Sequence, residues 1–179
     1  GNNLIAKIDG VFKRKDKKLH IEQVIELEHD LGLKTGSIIL PLDSDIELIV
    51  PGDIKSGFTV QCNKITVIRT VEDAKITARN LEVKNGIVGT SDLPIHADYL
   101  TTNFITGTRI IKSRIINIKR EISGGSTIHA DYVRSQIIQE CSVFAKYGVW
   151  TKFLYGKNNI LVGVNIKENA EFQKLTQQN

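Results

Sequence analysis

Six residues occur twice almost unchanged: Ile95 to Leu100 read I-H-A-D-Y-L, and Ile128 to Val133 read I-H-A-D-Y-V. The offset of 33 residues is too long for a hairpin and typical of a repeat architecture. Looser copies start at Val60 (V-Q-C-N-K-I), Ile76 (I-T-A-R-N-L) and Ile110 (I-I-K-S-R-I), so successive copies lie 16, 19, 15 and 18 residues apart. The 33-residue echo is therefore two turns of a solenoid with roughly 16–17 residues per turn.

From Thr35 onward aliphatic residues recur about every five positions, and three such steps make one turn. This predicts a triangular coil with three short strands and one inward residue per side, stacked in parallel at about 4.8 Å per turn. The expected core includes Ile54, Ile65, Ile76, Leu81, Ile95, Leu100, Ile115, Ile128 and Val133. Gly52, Gly86, Gly89, Gly124 and Gly125 fall between these anchors, where corners favour residues that tolerate positive φ. Steps of five to eight residues argue against the strict six-residue period of a left-handed hexapeptide solenoid. The longest step, Ile87 to Ile95, predicts a bulged corner. The Ile110 copy carries Lys112 where its neighbours have Ala or Cys, so that coil is either locally irregular or shifted in register.

Aromatic residues make up 6% of the chain, Met is absent, and Ile and Val dominate the apolar set. β-branched side chains suit a pleated surface, and large rings would not fit a narrow stacked core. Residues 1–35 do not follow the repeat and are expected to cap the 36–165 β-helix, which continues for about six turns before a helical tail over 166–179. Within the cap, L-H-I-E-Q-V-I-E-L-E reads as a strand, with an amphipathic helix over Ile21 to Leu31 as the alternative. A cap is needed because a bare solenoid end presents unpaired strand edges. Tyr147, Trp150, Phe153 and Tyr155 are expected to pack over the last coil.

Function has fewer sequence signals. The net charge of +4 is mild, and its one cluster, Lys13, Arg14, Lys15, Lys17 and Lys18, reads as a surface turn. Without interleaved aromatics it predicts no nucleic-acid partner. Cys62 and Cys141 have no zinc or redox spacing, and Cys62 fills the small slot taken by Ala78 and Ala97 in later copies. There is no signal peptide or apolar run of spanning length, so the expectation is a cytoplasmic protein with no membrane insertion. The leading Gly1, with no initiator Met, suggests a chain trimmed from a longer protein.

The His-Ala-Asp-Tyr copies are the best candidates for acid–base chemistry. On a strand, His96 and Asp98 share a face, as do His129 and Asp131. The two copies should lie two turns, about 9–10 Å, apart, too far for one metal ion to bridge. A solvated outer column is the simpler reading. Long loops that would wall a cleft are missing, no carboxylate pair is marked, and P-loop and nucleophile-elbow patterns are absent. The expectation is therefore no catalytic residue, no cofactor, no metal and no small-molecule substrate. A carbohydrate-active β-helix enzyme is the alternative function.

Several stretches carry a family resemblance. They are V-P-G-D-I-K-S-G-F-T-V, then T-V-E-D-A-K-I-T-A-R-N-L-E-V-K-N-G-I-V-G, then I-S-G-G-S-T-I-H-A-D-Y-V. Over about residues 20 to 165 the chain resembles the bacterial flagellar assembly protein A (FapA) family, through G-D-I, V-E-x-A, G-I-x-G and I-x-G-G elements in that order. It departs from the pattern between Ile110 and Ile122, where the chain is shorter. The resemblance implies a right-handed parallel β-helix, distantly similar to the C-terminal domain of the division inhibitor MinC and, in architecture, to bactofilins. It also implies a cytoplasmic, non-enzymatic role tied to flagellar assembly. Because a β-helix exposes long, regular columns of side chains on a fixed backbone, the expected mode of action, in flagellar assembly or polar organisation, is a homo-oligomer or a protein partner docked on its faces. One consequence is testable: Ile115→Asp should unfold the domain, whereas His96→Ala should be near neutral.

Overall fold

A computed structural model describes residues 11–15, 18–108 and 110–163. Strands β1 (Val11–Lys15) and β2 (Lys18–Glu26) pair antiparallel, and Lys13, Arg14, Lys15 and Lys18 of the basic cluster fall in the last three pairs, ending with Lys15 and Lys18. From β2 onward thirteen strands join in one parallel sheet that winds into a β-solenoid of about seven turns. In chain order they continue as β3 (Ile38–Ile39), β4 (Ile46–Val50), β5 (Thr59–Val67), β6 (Val71–Glu72) and β7 (Lys75–Val88). Next come β8 (Ile95–Thr106), β9 (Ile111–Ser123), β10 (Thr127–Arg134), β11 (Ile137–Gln139), β12 (Ser142–Trp150), β13 (Phe153–Tyr155) and β14 (Asn159–Val162).

The register stacks three aliphatic columns, each eight levels high. The first side stacks Ile38, Val60, Ile76, Ile95, Ile111, Ile128, Val143 and Ile160. The second stacks Ile25, Leu48, Ile65, Leu81, Leu100, Ile116, Val133 and Val149. The third stacks Leu31, Ile54, Val71, Ile87, Ile105, Ile122, Ile138 and Leu154. Away from the ends these side chains are essentially inaccessible, and they form one continuous hydrophobic core. The first and second sides each bury a further residue per coil. On the first side this is the small slot Cys62, Ala78, Ala97, Ala130 and Ala145, with Ser113 half-buried in the same slot, rather than the single inward residue per side that the spacing suggests.

Of the expected core, Ile54, Ile65, Ile76, Leu81, Ile95, Leu100, Ile128 and Val133 are buried, but Ile115 is 40% exposed. The coil beginning near Ile110 is anchored by Ile111, one residue later than the spacing suggested, and Ile116 takes the inward place. The reason is Lys112. A one-residue slip exchanges every inward and outward side chain, and anchoring on Ile110 would bury an ammonium group. Anchoring on Ile111 turns Lys112 outward, between His96 and His129. It also puts Ser113 in the small slot, where its hydroxyl is within 3.1 Å of the Asp98 and Ile115 carbonyls.

One boundary also moves. Gln23–Glu26 already pair in parallel with β4, so part of the segment expected to be only a cap is the first coil, and it is strand rather than helix. The expected helical tail, 166–179, lies outside the described residues.

The third side ends in a repeated corner. Two positions after the column residue, Asp73, Gly107, Gly124, Glu140 and Gly156 all take positive φ, between 32° and 74°. Gly124 and Gly125 thus fit the conformational reason expected of corner glycines. Gly52, Gly86 and Gly89 are needed for a different reason, close approach. A Cβ on Gly52 would lie 1.8 Å from Asp30 Oδ1, one on Gly86 2.4 Å from the Phe104 ring, and one on Gly89 2.2 Å from Asp73 Oδ1.

Candidate functional site

Three outward-facing groupings could carry function. The first is the His-Asp column. His96, Lys112 and His129 occupy successive levels of the first side, so the two histidines are two coils apart with a cation between them. His129 stacks on Phe144 of the next coil at 4.9 Å between ring centroids. Burial, followed by the charge of Lys112, lowers the His129 pKa to about 4; burial, then Lys112 and Lys75, lowers that of His96. Both imidazoles are therefore neutral at pH 7. On the adjoining corner, Arg79, Asp98, Arg114, Asp131 and Lys146 alternate in sign from coil to coil, and Arg114 Nε lies 4.0 Å from Asp131 Oδ2. This arrangement holds coils together; it does not poise a base at neutral pH. No group of three or more His, Cys, Asp or Glu among the described residues is placed to hold a metal ion.

The second grouping is the acidic third side, whose carboxylates stand at both of its corners. Asp30 Oδ1 accepts a hydrogen bond from the Asp53 N–H at 2.8 Å, Asp53 Oδ1 one from the Thr70 N–H at 2.9 Å, and Asp73 Oδ1 two from the N–H groups of Thr90 and Ser91 at 2.8 Å. Lys55 Nζ joins three levels: it is 2.8 Å from Asp53, 2.9 Å from Glu72 and 4.0 Å from Asp30. Burial alone would raise the Asp53 pKa, but the hydrogen bonds from Lys55 and Thr70 outweigh it and bring the pKa below the usual value. The Ser91 N–H has the same effect on Asp73. Each carboxylate bonds the backbone of the next coil, so these groups are structural. The G-D-I, V-E-x-A, G-I-x-G and I-x-G-G elements all fall here, at the Ile54, Val71, Ile87 and Ile122 levels.

The third grouping was not foreseen. Outside the second column, successive outward positions are Val24, Glu47, Lys64, Asn80, Tyr99, Ile115, Tyr132 and Gly148. From the Tyr99 level onward this column is apolar, flanked by Thr101, Asn117 and Arg134, and Tyr99, Ile115, Tyr132, Tyr147 and Trp150 are all 40–55% exposed. The Arg134 guanidinium lies 4.9 Å from the Trp150 ring centroid, Lys146 Nζ 4.7 Å from that of Tyr147, and the Tyr132 and Tyr147 rings are 5.3 Å apart. Absence of a side chain at Gly148 leaves a shallow groove of about 420 Å³ beside Tyr132, Arg134 and Trp150, and no carboxylate lines it. Tyr147, Trp150, Phe153 and Tyr155, expected to pack over the last coil, are instead about half exposed. The sequence signal was the Tyr that closes both H-A-D-Y copies, with Ile115 midway between them.

A stack of parallel coils with hydrogen-bonded corners and an aromatic face, and with a groove too shallow to enclose a substrate, defines a β-solenoid repeat protein that offers surface rather than a pocket. No helix among the described residues is long and apolar enough to cross a membrane. The chain belongs to the Flagellar Assembly Protein A beta solenoid domain family, whose family model matches residues 23–179. No curated protein and no solved structure matches it.

Proposed function

We propose that this domain is a non-enzymatic assembly module of a cytoplasmic bacterial protein, acting in flagellar assembly or polar organisation. It would work by docking a flat face of the solenoid onto a second copy or onto a protein partner. The observation that carries this reading is the exposed aromatic band from Tyr99 to Trp150 on a continuously hydrogen-bonded face. Contiguous apolar patches on soluble proteins commonly mark interaction sites. A face whose backbone is already fixed can also bind with little ordering cost. Family membership supplies the flagellar context.

The test is allelic exchange in a flagellated host that carries the gene. Tyr99→Glu combined with Tyr132→Glu should leave the melting midpoint nearly unchanged and reduce flagellation. His96→Ala combined with Asp98→Asn should leave flagellation intact. The reverse pattern would overturn the docking role and point to chemistry on the His-Asp column.

A further inference from the structure

The charges are divided along the solenoid axis. Residues 23–108 carry twelve Asp and Glu against seven Lys and Arg, whereas residues 110–163 carry eight Lys and Arg against three Asp and Glu. The second side shows the same division in its outward residues. Glu26, Glu47 and Glu82 lie on its first four levels beside a single cation, Lys64, which is 2.7 Å from Glu47, and Arg134, with the aromatic band, lies on its last four.

We propose that a second copy of this chain docks on the second side with its axis antiparallel to the first. This rests on the self-association reading above and specifies its face and orientation. A two-fold axis in the plane of the interface, passing between the Leu81 and Leu100 levels, overlays all eight levels of one copy on the other. It places Arg134 over Ile49 of the second copy, flanked by Glu26 and Glu47, with Trp150 over Glu26, Tyr132 over Glu47, Ile115 over Lys64 and Tyr99 against Asn80. Because the contact is isologous, each pairing occurs twice and the assembly closes as a dimer. Parallel docking would instead set acidic half against acidic half and basic against basic, which is repulsive.

The dimensions fit a weak dimer. Eight levels at about 4.8 Å give a face roughly 35–40 Å long, and its width of three or four residues is about 10–13 Å. Docking would bury on the order of 800–1,000 Å² in total, at or just below the lower limit of specific interfaces. Aromatic residues and Arg are the types enriched at such contacts. A dissociation constant on the order of micromolar, tightening at low salt, is expected.

The experiment uses the full chain in analytical ultracentrifugation at low and high salt, with Arg134→Glu, the double variant Arg134→Glu/Glu26→Arg, and two reporters. Arg134→Glu should weaken the dimer about tenfold or more, and adding Glu26→Arg should restore much of the loss. Both sites are exposed, so the melting midpoints should match the parent. The reporters are Thr101→Cys, half a level from the axis, and Trp150→Cys at the far level; native Cys62 and Cys141 are buried. A short bismaleimide should join Thr101→Cys copies but not Trp150→Cys copies, whose positions would be about 34 Å apart along the axis. A dimer indifferent to Arg134→Glu, or one joined through Trp150→Cys, would overturn this orientation while leaving self-association intact. A monomer under every condition would overturn both the dimer and self-association, leaving partner docking to the flagellation test.

Discussion

Ile115 and Ile116 are adjacent, chemically identical and oppositely placed, so truncating each to Ala isolates the register of the irregular coil. Ile116 is 1% exposed and stacks between Leu100 and Val133, whereas Ile115 is 40% exposed. Removing a buried Ile side chain to Ala costs about 2–5 kcal/mol, depending on how far the site can collapse. Here collapse is restricted, because the coils above and below are held by the strand ladder, so Ile116→Ala should fall in the upper half of that range. At about 2–4 °C per kcal/mol for a chain of this size, its melting midpoint should drop by roughly 10 °C. Ile115→Ala removes a side chain that is already 40% exposed and leaves no enclosed cavity, so it should cost less, about 1–2 kcal/mol. Calorimetry at low protein concentration, where faces do not associate, reads both. A larger loss for Ile115→Ala would mean that the coil is anchored on Ile110 with Lys112 inside, and the register argument would fail. Ile116→Asp replaces Ile115→Asp as the substitution that should unfold the domain.

Other outcomes follow from the corners and the histidines. Gly89→Ala should cost about 1–3 kcal/mol in urea unfolding, because its Cβ would meet the Asp73 carboxylate that holds Thr90 and Ser91. His96→Ala should change stability by no more than about 0.5 kcal/mol, as expected of an exposed outward residue. His129 titrates near 4 in the fold, below its ordinary 6.5, so on acidification the unfolded chain takes up that proton first. Stability contributed by neutral His129 is full above pH 6.5 and declines toward pH 4, by about 1–2 kcal/mol after allowance for solvent screening. His129→Gln should flatten that part of the stability profile.

The solenoid was legible because its columns are written in the sequence as Ile, Val and Leu at near-constant spacing, and strand stacking turns spacing directly into contact. The irregular coil was not, because the doublets Ile110-Ile111 and Ile115-Ile116 satisfy both registers; only the desolvation of Lys112 separates them. The acidic third side was visible as motifs but not as bonds. Asp30 and Gly52, or Asp73 and Gly89, are distant in the chain and meet only when coils stack. The aromatic face is hidden in the sequence for a related reason. Tyr99, Ile115 and Tyr132 form a column only in the Ile111 register, and a shift of one residue divides the band between inside and outside.

Sedimentation equilibrium of the whole chain over a wide concentration range, at two salt levels, tests the docking reading most directly. The weight-average mass should rise reversibly from monomer toward dimer, more steeply at low salt, and Tyr132→Glu should hold the chain at monomer. A strictly monomeric chain throughout would contradict self-docking, and association unaffected by Tyr132→Glu would contradict the aromatic face as its site.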